Sequence, residues 1–207
     1  MSPVPRLGAW LLVALAALVA ASGCTTTRRP ETATTPVADP RAFLQSRTRF
    51  DLAGRLAGAV GGEGFNAQLQ MQQRDARSEL VLRSPLGFGS ATIRTDGESL
   101  EYRSSRGERL SGAEGMAAVA ARLGFEPPVR SLRYWLLGVP DPASPSTAIA
   151  SAPPAGAAFE QDGWRVTVGE TRSTALPAGT IDLPRRVTLE RPPVRLRVVV
   201  DTWKLDR

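Results

Sequence analysis

The chain has no histidine, one cysteine (Cys24) and one lysine (Lys204). Each scarcity removes a class of function. Ser-His-Asp and Cys-His nucleophilic sites need an imidazole to carry the proton. Metal centres built from His or Cys need ligands that this chain lacks. A lone cysteine forms no internal disulfide. An enzyme made from these residues would be confined to carboxylates such as Glu79 or Asp96, and neither belongs to a catalytic constellation. No catalytic residue, metal or cofactor is therefore expected. A basic tract is also missing. The 26 Lys+Arg are interleaved with 20 Asp+Glu for a net charge of +6, and scattered charge of that size does not mark a nucleic-acid partner.

Long apolar runs are scarce too, except at the start. Residues 1–23 read as a secretory signal: Arg6 supplies a positive head, and residues 9–21 are an uncharged apolar run too short for a comfortable membrane span. Ala21-Ser22-Gly23 then places small residues directly before Cys24, as in a bacterial lipobox. In such a pattern the leader is cut before the cysteine, which is diacylated, and the new N-terminus is acylated. The competing reading is an ordinary signal peptide with a chance cysteine. Three acyl chains would anchor the protein firmly, since each buried methylene contributes roughly 0.8 kcal/mol. Residues 24–40 are rich in Thr, Pro and Ala and form a flexible tether.

Beyond the tether the hydrophobic period sets the elements. Residues 39–48 begin as a short helix, with Asp39 as cap and Pro40 in the first turn. The period then becomes two. Phe50, Leu52 and Leu56 alternate with Asp51, Ala53 and Arg55. After Gly61-Gly62, Phe65, Ala67, Leu69 and Met71 alternate with polar residues. These are half-buried antiparallel strands. Residues 79–83, 90–94 and 100–103 continue the meander, with Asp96-Gly97 as a hairpin turn. Between them, Ser84-Pro85-Leu86-Gly87 is a β-turn that leaves Leu86 at its tip. That leucine either folds back onto the protein or touches something apolar outside it.

Residues 112–124 are Ala-rich with helical spacing and a stop at Gly124. Pro127-Pro128 separates them from a second, unusually apolar helix over 129–137, which serves as a plug in the β-structure or as a lid over an apolar cavity. Residues 141–154 read as a loop. Strands resume at 157–159, turn at Asp162-Gly163, and end in a run with Val194, Leu196, Val198 and Val200 on one face. One apolar face per strand and a helical insertion predict a mainly β fold, a curved antiparallel sheet or barrel with helices over one end.

Several blocks in order resemble the LolB family of outer-membrane lipoprotein receptors. Phe50-Asp51-Leu52-Ala53-Gly54-Arg55-Leu56 is similar to its first-strand block, and Ser84-Pro85-Leu86-Gly87 to its turn block. Leu132 to Pro140 resembles its L-x-x-W-l-x-G-x-P segment, and Gln161-Asp162-Gly163-Trp164 its Q-d/n-G-W hairpin. The final strand with Asp201 and Trp203 completes the series over residues 40–204. The resemblance implies an unclosed antiparallel β-barrel over 41–207 with a helical lid (a LolA/LolB-like fold) and an apolar cavity. It also implies a monomer, anchored at the periplasmic face of the outer membrane, that accepts acylated lipoproteins from the periplasmic carrier LolA and passes them to outer-membrane lipid. Leu86 would be the protruding residue needed for membrane insertion. The candidates for cavity and lid are Phe50, Leu52, Phe65, Leu69, Met71, Leu132, Trp135, Leu136 and Leu137. Met71 stands where the family often has tryptophan. Arg55, Arg83 and Arg133 are candidates for contact with acidic groups on the carrier. The alternative is a structural or assembly lipoprotein with a solid interior.

Overall fold

The computed structural model describes residues 35–85, 89–150, 156–177 and 179–205. The leader, Cys24, most of the tether and the turn residues Leu86 and Phe88 lie outside the described residues. The chain clusters into one unit over residues 1–33 and a second over residues 34–207, and the second is described here.

Strand β1 (Arg49–Val60) follows a short helix α1 (Pro40–Gln45) whose cap is the expected one: Asp39 accepts the Ala42 N–H at 2.9 Å. Next come β2 (Glu63–Arg74), β3 (Arg77–Arg83), β4 (Ser90–Thr95), β5 (Leu100–Ser104) and β6 (Arg109–Ser111). Helices α2 (Gly112–Leu123) and α3 (Leu132–Leu136) then interrupt the strands. The chain returns through β7 (Ser146–Ala148), β8 (Ala158–Gln161), β9 (Trp164–Leu176), β10 (Gly179–Arg191) and β11 (Val194–Leu205).

Among the described residues all strands belong to one 11-stranded sheet, in the order β6-β5-β4-β3-β2-β1-β11-β10-β9-β8-β7. Each half is a meander, and the first and last long strands meet in the middle, with Phe50 opposite Leu205 and Val60 opposite Val194. Among the described residues no ladder joins β6 to β7, so the sheet is unclosed. It curls nonetheless: Ile93 of β4 and Leu189 of β10, from opposite halves of the order, face one cavity. Among the described residues the core is built between Leu44 and Val200, with Val37 and Leu205 packed at its margin. Each large apolar side chain taken out of water there contributes about 1.5–3 kcal/mol.

The structure differs from the sequence reading at several edges. The second helix starts at Leu132 rather than 129, because Pro127-Pro128 favours a turn. That turn carries Val129 N–H to Pro127 O at 2.9 Å and Leu132 N–H to Pro128 O at 3.0 Å. The first helix stops at Gln45, short of 48. The stretch 141–154 contains the short edge strand β7, made of Ser, Thr and Ala without an apolar alternation that would reveal it. The tether is pinned from Thr35 onward. Val37 N–H donates to Thr180 O and Thr180 N–H to Thr35 O, both at 3.0 Å, in a parallel bridge to β10. That bridge is available because β10 shifts register at Pro184–Val187 against β9 and pairs with β11 only from Arg186 onward. Strand β6, three residues long, has too few residues to show an apolar alternation in the sequence.

Candidate functional site

The inner face of the curled sheet is covered by α2, α3 and the link between them. Gly115 lets α2 sit close: a Cβ there would be 3.0 Å from Leu100 O. Gly124, with a φ of 74°, ends the helix by accepting the left-handed conformation, and its N–H bonds Ala120 O at 2.8 Å. The chain then passes Phe125 and the Pro127-Pro128 turn into α3, whose Tyr134, Trp135 and Leu136 are buried.

Beneath this cover is an apolar cavity of about 70 Å³. The sheet contributes Leu56, Phe65, Leu69, Leu80, Leu82, Ile93, Leu189, Leu196 and Val198; the cover contributes Leu123, Phe125, Pro127, Pro128, Val129, Leu132 and Leu136. Of the residues expected at the cavity or lid, Phe65, Leu69, Leu132 and Leu136 therefore line it together. Phe50, Leu52, Met71, Trp135 and Leu137 are buried in the same core without lining it. Phe50 instead meets Trp203, ring centroids 5.8 Å apart, and Trp135 meets Trp164 at 6.2 Å. The sequence concealed the contribution of Phe125 and Val129, because they lie outside any regular period. Leu189, Leu196 and Val198 were visible as strand positions, but not as neighbours of β2 to β4.

The sequence blocks that resemble the LolB family have physical reasons in this fold. At Gly54 the β1–β11 ladder shifts register, and a Cβ there would lie 2.1 Å from Val199 O. Only glycine admits that approach. Arg55 beside it pairs with Asp201 at 3.1 Å in the open. Gln161, 2% exposed, joins two other blocks. Its Oε1 accepts the Trp135 indole N–H and the Asp141 N–H, both at 2.8 Å. Its Nε2 donates to Asp141 O at 2.8 Å and Ser144 O at 2.7 Å. The end of α3 is thereby locked to the β8–β9 hairpin, which turns through Asp162 and Gly163 at φ 52° and 74°. Phe125 packs edge-on to Trp164 at 5.9 Å, and the Arg191 guanidinium lies over the Trp164 ring, 4.7 Å from its centroid.

The remaining charged candidates sit on the outside. Arg133 donates to Asp75 O at 3.1 Å and stacks over Tyr134. Arg83 is exposed at the end of β3. Glu79 holds Arg94 at 2.7 Å, which raises the arginine's pKa. Asp96 accepts the Ser99 and Glu98 N–H groups, and these hold its carboxyl below the usual range; Arg103 does the same for Glu101. Among the described residues no group of three His, Cys, Asp or Glu could hold a metal ion, and no helix is long and apolar enough to cross a membrane.

The family described as "Outer membrane lipoprotein LolB" matches residues 48–203, which take in both halves of the sheet and the helical cover. This chain belongs to the LolB family. Its relatives include the "Outer-membrane lipoprotein LolB" of Alkalilimnicola ehrlichii, 34% identical over 97% of this chain and 98% of that protein. That of Nitrosococcus oceani is 30% identical over 94% and 97%. Among solved structures, a DUF1329 family protein from Desulfovibrio piger superposes with a TM-score of 0.49 at 6% identity, over 81% of this chain and 94% of that one. A likeness that distant carries no argument. The LolB-family chain is an outer-membrane lipoprotein of the lipoprotein-localisation pathway, and its mainly antiparallel, unclosed sheet is the LolA/LolB-like fold that its motifs implied.

Proposed function

We propose that this LolB-family protein accepts acylated lipoproteins from a LolA-like periplasmic carrier, holds their acyl chains in the cavity under α2 and α3, and releases them into the outer membrane. The observation that carries the reading is the cavity's lining, which consists of apolar side chains throughout. A hydrocarbon chain moved there from water is stabilised by about 25 cal/mol per Å² of apolar area removed, and the bilayer is a deeper sink of the same kind. No bond-making chemistry is needed. Lipidated Cys24 would hold the body at the membrane, and Leu86 would enter the lipid first.

One observation favours a second reading, a structural lipoprotein with a filled interior. The cavity's 70 Å³ falls well below the roughly 300–1,000 Å³ of ordinary ligand sites. Transfer therefore requires the cover to move. Gln161 ties down the far end of α3, and Ser131 at its start is buried with its hydroxyl on Asp141, so that movement has to break such ties or carry them along.

The deciding experiment titrates a pyrene-labelled hexadecanoic acid into the chain from residue 25 onward. Saturable binding that is displaced by an acylated lipoprotein supports transfer. Absence of binding shows the interior to be solid and leaves the structural reading.

A further inference from the structure

Phe65 is the only aromatic ring that the sheet contributes to the cavity among the described residues. It faces inward at the start of β2 with Leu69 and Met71, yet it is half-buried where those two are 3% and 1% exposed. The cavity therefore reaches toward the surface at this ring. In the ladders Phe65 lies directly opposite Gly58 of β1, and Gly58 lies opposite Leu196 of β11. The three form one row across the inner face of the sheet. Phe65 and Leu196 both line the cavity, and Gly58 between them does not.

The ring is what separates Gly58 from the cavity. A Cβ on Gly58 would lie 2.2 Å from Phe65 Cζ and 2.3 Å from its Cε1, so the far end of the ring fills the space that a side chain at 58 would take. Gly58 is buried for the same reason. Glycine inside a strand is costly, and an aromatic ring laid across it offsets part of that cost. The ring is otherwise unfastened. Phe50 packs against Trp203 and Phe125 against Trp164, whereas Phe65 has no ring or cation partner among the described residues. Just before it the hairpin tip is open: a Cβ on Gly61 or Gly62 would meet nothing within 4 Å. Rotation about χ1 carries a side chain between staggered positions. A rotation that lifts this ring from Gly58 uncovers a niche the size of a phenyl group, continuous with the cavity.

We propose that Phe65 is the movable end wall of the cavity and Gly58 the floor it covers, so that this pair sets how long a hydrocarbon chain the protein holds. With the ring down only a short chain fits. With the ring lifted a longer chain lies over Gly58, between β2 and β11. The lift adds to any room that the cover yields and breaks none of the hydrogen bonds that tie α3. The proposal rests on the acyl-transfer reading above and adds to it the residue that selects chain length.

The full chain carrying Cys24→Ala, which keeps the anchor's own acyl chains out of the measurement, is dialysed to equilibrium against radiolabelled decanoic or hexadecanoic acid. The readout is the ratio of the affinity for the longer acid to that for the shorter. Phe65→Ala removes the wall and should raise this ratio about 15-fold, the worth of two further methylenes taken from water. Adding Gly58→Val refills the space that the ring occupied and should return the ratio to its starting value. A purely structural role for Phe65 weakens both acids together; an unchanged ratio therefore overturns the proposal and leaves acyl binding intact. A ratio that stays raised in the double variant overturns the assignment of Gly58 as the floor. If circular dichroism shows Phe65→Ala unfolded, Phe65→Leu makes a smaller cut and should move the ratio the same way, about fourfold, the worth of one methylene. Failure of the chain with and without the Phe65 substitution to bind either acid overturns the acyl-transfer reading and the proposal with it.

Discussion

Replacing Gln161 by Met should destabilise the body strongly. Its amide serves Trp135 Nε1–H, Asp141 N–H, Asp141 O and Ser144 O, at 2.7–2.8 Å each. Methionine fills similar space and satisfies none of them. A buried group left without its partner costs about 1–3 kcal/mol. Ser144 is partly exposed and can turn to water, but Trp135 is 0% and Asp141 2% exposed and cannot. The expected loss is therefore about 3–5 kcal/mol, a large share of a domain's total of about 5–15 kcal/mol. In urea unfolding followed by far-ultraviolet circular dichroism, with a slope near 2 kcal/mol per molar, the midpoint should fall by about 2 M. Trp135→Phe removes one donor and leaves the Asp141 bonds, so it should cost only about 1–2 kcal/mol. The double variant should show a coupling of about 1 kcal/mol or more. A loss below about 1 kcal/mol for Gln161→Met would refute the idea that this amide locks α3 to the β8–β9 hairpin.

Gly54→Ala should cost about 2–3 kcal/mol through forced strand separation, because the new Cβ would lie 2.1 Å from Val199 O; thermal unfolding checks this, and an unchanged midpoint would mean that the ladder yields freely. Leu86→Glu should abolish lipoprotein insertion into vesicles, and insertion at the wild-type rate would remove the leucine from the mechanism. Asp96 and Glu101 have folded pKa values below their ordinary 3.8 and 4.5. Their contribution to stability is thus complete above those ordinary values and is lost as pH falls through the depressed ones. Asp96→Asn should accordingly flatten the acid limb of a plot of urea midpoint against pH, and an unaltered limb would show that the turn's hydrogen bonds do not bear on stability.

The strands of this protein were legible from local pattern. Phe50, Leu52, Leu69 and Met71 alternate with polar neighbours, and all are buried. Helix α2 announced its end with Gly124, and Asp39 its predecessor's start. Short elements escaped because they carry no repeating apolar signal: β6 and β7 are three residues each and rely on their neighbours' backbones for definition.

Chain order by itself determined the mainly β class of fold, since one apolar face per strand has to be covered by another layer or by the sheet's own curl. It also supplied the blocks that resemble the family and a lone cysteine, Cys24, behind small residues. The tertiary structure alone decided which apolar residues share the cavity. Phe65 and Leu196 lie on strands distant in sequence, and only the pairing of β1 with β11 brings their halves of the sheet together. It alone showed that Gly54 permits the close approach of β1 to Val199 and that Gln161 is held by four hydrogen bonds. The physical reason is that alternation reports which way a side chain faces, whereas the curl of the sheet and the seating of the helices determine what it meets there.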